Sequence, residues 1–453
     1  MRIIIVGCGK VGYTLAESLS VERHDVTVID PNDAALKKAS AALDVLCVKG
    51  NGASIEVLTD AGVSKSDAVI AVTGHDELNM LCCFTSKLHG AKCTIARIRD
   101  QDYISDIEQF KKTLDIDFVV NPEFSTAAYI SRLLRFPDAV DIETFFRGNI
   151  ELVGFRASES DELIGTPIVK LKKLMGGISV LFCAIEHDGV TIIPNGNSVI
   201  EAGDRVYVIG TAGNISHFFK HLGRVTRKTT DTFIVGGGRI ATYLSKLLAE
   251  TNIGVKIIES DPQKCVALCE ALPKALIVNG DGTEQDLLDS EDLANSSSFV
   301  SLTGRDEDNI IMALYAKQLG VPRVIAKTNR QNYYELISSL DLDCSVSPKI
   351  ITAYSILRIM RAMQNSQGSQ MESLYQIANG GAEAMVFTAG ATTHNLNVPL
   401  KDLSLRKGVL VAVIARQHRL IIPEGNDYIS AGDKVIIISS RASILDINDI
   451  FAE

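Results

Sequence analysis

Residues 3 to 12 read Ile3-Ile4-Ile5-Val6-Gly7-Cys8-Gly9-Lys10-Val11-Gly12. Four β-branched apolar residues run straight into a turn with glycines spaced GxGxxG, and an amphipathic stretch follows. The apolar run fits a buried parallel strand and the stretch after the turn fits a helix. In that setting each glycine has a task. Gly7 permits the tight turn, Gly9 lets the backbone approach a pyrophosphate, and Gly12 allows the helix to pack closely on the sheet. The unpaired N–H groups and dipole at the helix start favour negative charge there. The next apolar run, Asp25 to Ile29, ends on Asp30, where dinucleotide folds carry an acid for the ribose hydroxyls. Its carboxylate repels a 2′-phosphate, so the expected ligands are NAD(H) or the adenine nucleotides ATP and ADP, and not NADP.

The loop recurs. Gly236-Gly237-Gly238-Arg239-Ile240 repeats Gly7-Cys8-Gly9-Lys10-Val11 at a shift of 229 residues, position 236 against 7. Nearly the same shift relates Gly50-Asn51-Gly52 to Gly280-Asp281-Gly282, and Thr73-Gly74-His75-Asp76-Glu77-Leu78-Asn79 to Thr303-Gly304-Arg305-Asp306-Glu307-Asp308-Asn309. Further on it relates Pro194-Asn195-Gly196 to Pro423-Glu424-Gly425, and Ala202-Gly203-Asp204 to Ala431-Gly432-Asp433. A 453-residue chain is expected to hold several domains, and here it is an internal duplication of one two-part unit.

In the first part of each unit, short apolar runs alternate with helix-length stretches, as a parallel sheet with crossover helices requires. In the first copy the runs are Arg2 to Val6, Asp25 to Ile29, Val45 to Val48, Ala68 to Val72, Thr94 to Ile98 and Phe118 to Val120. The second part carries short β-branched strands, Ser179 to Ile185, Val190 to Ile193 and Arg205 to Ile209, separated by Gly, Pro and Asn turns. The fold class is therefore α/β, two tandem Rossmann-like parallel-sheet domains each followed by a small α+β lobe. The expected divisions are residues 1–140, 141–225, 230–363 and 371–453, with linkers at Gly223 to Asp231 and Gln364 to Gln370.

Ligands of open α/β sheets sit at the carboxyl ends of the strands. The first candidate site is therefore Gly7, Cys8, Gly9, Lys10, Val11 and Gly12 with Asp30, Asn51, Thr73, Gly74 and Arg97. The second is Gly236, Gly237, Gly238, Arg239 and Ile240 with Glu259, Asp281, Thr303 and Gly304. In the second loop Ala241 stands at the third glycine position and Glu259 replaces Asp30. Lys10, Arg97 and Arg239 are the cations expected to reach a terminal phosphate, Arg99 serving equally as a solvated surface residue. Asp76-Glu77 and Asp306-Glu307 read as helix N-terminal carboxylates that complement the dipole.

Other classes fit poorly. Charge sums to −10, 45 basic against 55 acidic residues, with no basic block and no tryptophan, which argues against nucleic acid as a partner. The longest apolar run, Val409 to Ala415, is far short of the roughly 18 residues of a spanning helix. The N-terminus shows no signal-peptide pattern, so a cytoplasmic chain is expected. Nine cysteines without a CxxC pair point to reduced, mostly buried thiols. His217 and His221 have helical metal spacing without a third ligand, and Cys8 fits a space-filling role better than redox sensing. No His or Lys is paired with an acid in the manner of a hydride-transfer site, and each second lobe is too small for a dehydrogenase substrate domain.

Taken together, Ile4 to Gly12, the segment Ala71 to Met80, Ile95-Ala96-Arg97-Ile98-Arg99 and the turn Glu201-Ala202-Gly203-Asp204 resemble the TrkA family of regulatory proteins of bacterial Trk potassium uptake systems, over essentially the whole chain. Each unit is similar to the RCK (KTN) domains that gate potassium channels and transporters. The resemblance implies a regulatory subunit without enzymatic activity, peripheral on the inner face of the membrane through a potassium-translocating partner. It also implies a homo-oligomeric ring, four chains supplying eight units. The alternatives are a regulator of another cation transporter or channel, an NAD-dependent oxidoreductase, and a nucleotide-storage or structural protein.

Overall fold

The structure is a computed structural model and describes residues 1–135, 139–224, 229–330, 342, 344–365, 371–417, 419–440, 444 and 446–452. The six strands of the first sheet are β1 Arg2–Val6, β2 Asp25–Asp30, β3 Leu46–Lys49, β4 Ala68–Ala71, β5 Thr94–Arg97 and β6 Phe118–Val120. All are parallel, in the order β3-β2-β1-β4-β5-β6. This is the doubly wound Rossmann order, whose switch point lies between β1 and β4. Ile3 to Val6 are at most 2% exposed, which explains the unbroken apolar run: helices cover both faces of β1. Each such side chain removed from water contributes about 1.5–3 kcal/mol.

Next come β7 Ala139–Phe145, β8 Ile150–Arg156, β9 Val180–His187, β10 Val190–Ile192 and β11 Arg205–Thr211. They form an antiparallel sheet in the order β10-β9-β11-β8-β7. The second half repeats both sheets. The strands β12 Asp231–Val235, β13 Gly254–Glu259, β14 Ala275–Asn279, β15 Phe299–Ser301, β16 Val324–Lys327 and β17 Cys344–Val346 line up in parallel as β14-β13-β12-β15-β16-β17. The antiparallel strands β18 Met371–Ile377, β19 Ala382–Thr388, β20 Val409–Arg416, β21 Arg419–Ile421 and β22 Lys434–Ser439 follow, in the order β18-β19-β22-β20-β21. Expected and observed strand limits differ by a residue or two; β2, for instance, extends to Asp30 itself.

The four sheets pair like with like into two compact units. One unit holds both Rossmann-like domains, residues Met1–Ile130 and Asp231–Met360; the other holds both small lobes, Ser131–Thr230 and Arg361–Glu453. Within the first unit, the helix Arg239–Ala249 of the second domain meets the end of β6 and the helix after it. The ring of Phe124 stands edge-on to Tyr243 at 5.7 Å, and Asn121 Nδ2 donates to the Tyr243 hydroxyl at 3.3 Å. Within the second unit the lobes share a core, in which Phe145, Ile150, Leu152 and Ile209 of the first pack with Ile377, Ala384, Val413 and Ile438 of the second. The rings of Phe145 and Tyr375 lie 4.6 Å apart there.

All nine cysteines are free, seven of them buried. No helix among the described residues is long and apolar enough to cross a membrane. His217 and His221 are exposed on the helix Ala212–His221, whose inward face is Ile215, Phe218 and Phe219. Of the two expected linkers, residues 225–228 and 366–370 lie outside the described residues.

Candidate functional site

The crevice of the first domain opens where β1 and β4 end. Gly7 has φ +104° and its repeat Gly236 has φ +99°, a backbone that only glycine adopts without strain. A Cβ on Gly12 would lie 1.8 Å from the Gly7 carbonyl oxygen, so the third glycine is set by helix packing as its place in the motif requires. Gly9 is different. Its φ of −70° is ordinary, and a Cβ there would meet nothing within 4 Å. Gly238, Gly74 and Gly304 border open space in the same way. Among the described residues nothing lies within 4 Å of where those Cβ atoms would be.

Two further features suit that space to an anion. The helices Lys10–Val21 and Arg239–Ala249 begin at Gly9 and Gly238 without a side-chain cap and without an acidic residue in the first turn. Neighbouring helices are capped, Asp33–Ala42 by Asn32 and Pro262–Ala271 by Asp261. The glycine-loop helices thus keep unpaired N–H donors and an uncompensated dipole toward the crevice, which is how helix starts hold phosphate. The residues fit a nucleotide: the loop amides would hold its pyrophosphate. Val11 and Ile240 are buried, so only their backbone could meet a ligand.

The acid after the second strand does more than await a ribose. Asp30 accepts from Cys8 N at 2.6 Å through one oxygen and from Asn32 N at 2.7 Å through the other. Glu259 does the same with Gly237 N at 2.8 Å and Asp261 N at 2.9 Å. Each carboxylate therefore ties the glycine loop to the end of its own strand, leaving its remaining lone pairs for a diol. Cys8 is packed beside Asp30, and burial together with that carboxylate pushes its thiol up to about 11, so it stays protonated. Asn51 and Asp281 turn into their own loops, accepting from Ala53 N at 3.0 Å and Thr283 N at 2.9 Å.

At the ends of β4 and β5 the organising residue is one that the motif reading quoted but did not assign. Asn79 is fully buried. Its Oδ1 accepts from Thr73 N at 2.8 Å and from the Thr73 hydroxyl at 2.7 Å, and its Nδ2 donates to the Arg97 carbonyl at 2.8 Å. Asn309 repeats this with Thr303 N at 2.9 Å, the Thr303 hydroxyl at 2.8 Å and the Lys327 carbonyl at 3.0 Å. Its signal was available, since Asn stands at the same place of both repeats. Asp76, expected to complement the helix dipole, also accepts from the backbone N–H groups of Arg99 and Asp100 at 2.7 and 2.8 Å, and so pins the loop after β5.

The cations divide. Arg97 lies under the crevice, donating from Nη2 to the Thr73 carbonyl, and burial lowers its pKa. Lys327 stands in its place in the second domain, bonded to the Leu302 carbonyl at 3.1 Å and lowered for the same reason. Arg99 is ion-paired with Glu123 at 2.7 Å. Lys10 and Arg239 project from the loops, and Arg239 reaches across to Asp100 of the first domain at 3.8 Å. Lys10 points toward the second domain, where Lys349 lies. The two crevices face the contact between the domains.

Comparison with known proteins follows this geometry. The TrkA-N domain family matches residues 3–122 and 232–348, and the TrkA-C domain family matches residues 152–223 and 385–452. The chain belongs to the TrkA family. Its TrkA relatives include Trk system potassium uptake protein TrkA homolog 1 of Methanosarcina mazei, 32% identical over 459 residues and covering all of both chains. Trk system potassium uptake protein TrkA of Haemophilus influenzae is 31% identical over 458 residues, covering all of this chain and 98% of its own. Among solved structures, the GsuK channel matches 98% of this chain and 77% of its own with a TM-score of 0.64 at 18% identity. The GsuK channel bound to NAD matches 97% and 76% with a TM-score of 0.62 at 18% identity. At that identity the likeness is one of fold, and the tandem α/β architecture read from the repeats is the TrkA architecture.

Proposed function

We propose that this chain is a nucleotide-responsive regulatory subunit of a Trk-type potassium uptake system, docked from the cytoplasm on a membrane-embedded potassium-translocating subunit. The observation that carries this reading is the placement of both glycine loops at the contact between the two Rossmann-like domains, with Arg239 touching the neighbouring domain and Lys10 facing it. A ligand in either loop adjoins that contact and changes what holds the domains together. The Trk potassium uptake relatives supply the transport system, and GsuK bound to NAD and to ADP supplies the precedent for nucleotides on this fold.

Asp30 and Glu259 favour NAD(H), ATP or ADP over NADP, because a 2′-phosphate would meet a carboxylate already held by the loop amides. The ligand is bound and released unchanged, and acts by preferring one of two arrangements of an oligomeric ring of four chains, since only a difference in affinity moves such an equilibrium. The test is reconstituted potassium flux through the partner with this chain bound. Nucleotide-dependent flux without consumption of NADH or ATP is the expected result. Flux unchanged by ATP, ADP, NAD and NADH would leave a scaffold.

A further inference from the structure

We propose that a cavity between the first Rossmann-like domain and one helix of the second, with no lining residue from either glycine loop, binds a small amphipathic monocarboxylate. This site is independent of the nucleotide reading, and either can fail without the other.

The cavity holds about 390 Å³, within the range of small-ligand sites, about 300–1,000 Å³. Three of its walls come from the first domain: the helices Gln101–Ser105 and Ile107–Thr113, the end of β6 with Asn121, and the start of the helix Pro122–Arg135. The fourth is the helix Pro348–Asn365 of the second domain, through Ser355, Arg358 and Ile359. Ile104, Ile107, Val120, Phe124 and Ile359 make most of the lining apolar. Phe124 is 46% exposed even though its ring meets Tyr243, so the contact between the domains leaves apolar surface open to water here.

The charged lining residues fix the class of ligand. They are Lys111, Arg358 and Glu108, two cations against one carboxylate. Lys111 Nζ lies 3.4 Å from Glu108 Oε1, and the Glu108 side chain is 84% exposed, so that pair is weak. One positive charge is thus in excess beside an apolar wall. A cation would be repelled, a neutral apolar guest would leave the charge unanswered, and a dianion would lose more hydration than the walls return. A monocarboxylate with an apolar tail satisfies both parts: the tail packs against Ile104, Ile107 and Phe124, and the carboxylate accepts charge-assisted hydrogen bonds from Lys111 and Arg358. Because the walls belong to two domains, such a guest favours the arrangement in which they close on it. That gives it a hold on the contact that Asn121 and Phe124 make with Tyr243.

Calorimetry of the full chain with decanoate, decanol and decylamine, each below its micelle concentration, tests this. Decanoate should bind once per chain and raise the melting temperature, decanol should bind about tenfold more weakly, and decylamine should not bind. Lys111→Gln should weaken decanoate about tenfold, the scale of one charge-assisted hydrogen bond, and leave decanol unchanged. Ser355→Trp, which fills the cavity from the second domain, should abolish binding of both while keeping the circular dichroism of the parent; if that variant does not fold, Lys111→Gln decides alone. Decanoate that does not bind, that binds several times per chain, or that binds Lys111→Gln as tightly as the parent overturns the site. Decanol or decylamine binding as tightly as decanoate overturns the assignment of its ligand.

Discussion

Replacing Asn79 by alanine tests whether one buried amide organises the first crevice. The side chain is fully buried and makes three bonds of 2.7–2.8 Å, two accepted from Thr73 and one donated to the Arg97 carbonyl. Alanine leaves Thr73 N and the Arg97 carbonyl without that partner at the ends of β4 and β5. Part-buried groups stranded in this way cost about 1–3 kcal/mol each, so the loss for the two should be about 2–6 kcal/mol. The side chain of Thr73 can rotate to water, which keeps its share small. Urea denaturation followed by far-ultraviolet circular dichroism would show the first domain melting earlier, and nucleotide affinity should fall with it because the β4 and β5 ends line the crevice. Asn309→Ala is the internal control, with the same bonds in the second domain and the same expected loss. If Asn79→Ala unfolds at the parent's urea midpoint, with unchanged slope and unchanged nucleotide affinity, the pinning argument is wrong.

Other outcomes follow from the same geometry. Gly9→Ala should leave stability within about 0.5 kcal/mol, since its Cβ meets nothing, yet abolish nucleotide binding by calorimetry; Gly12→Ala, whose Cβ would collide with the Gly7 carbonyl, should instead lower the melting temperature. Asp30→Ala should weaken nucleotide binding by about 1–3 kcal/mol, and the parent should bind NADH more tightly than NADPH; equal affinity for the two would remove the carboxylate argument. In the first small lobe the His187 to Asp204 bond, 2.6 Å, raises the His187 pKa above its ordinary 6.5. Its contribution is complete below that value and is lost as pH rises through the higher folded value, so thermal melts of the parent should show a loss as pH rises above 6.5 that His187→Ala lacks. In the second lobe the matching pair is Arg416 with Asp433 at 2.8 Å, whose guanidinium stays charged throughout.

The glycine loop was readable because its constraints are local. A positive φ at Gly7 and a tight helix contact at Gly12 are properties of a few consecutive residues, and the repeat at a shift of 229 supplied the architecture. Asp30 also bonds the backbone of its own loop. Spacing places a carboxylate at a strand end and does not say that loop amides occupy it first. Asn79 was hidden by type, for an Asn in the first turns of a helix reads as surface, and only the repeat of Thr73-Gly74 with Asn79 at Thr303-Gly304 with Asn309 carried a signal. Lys349 had no signal at all. It lies 339 positions after Lys10, from 10 to 349, and nothing local in the sequence relates the two. The shared core of the small lobes was equally out of reach, because amphipathic strands announce a buried face without naming what covers it.

Tandem duplication also releases a restriction that symmetry imposes. Two identical subunits meeting about a twofold axis must present the same residue on both faces, so a cation facing one loop implies a cation facing the other. In this chain the two halves are separate stretches of one gene, and the position that is Glu123 in one is Lys349 in the other. One covalent chain can therefore carry two crevices of different chemistry in an otherwise matched frame, each free to drift under its own selection. A ring built from identical copies of one such unit would present the same residues at every crevice.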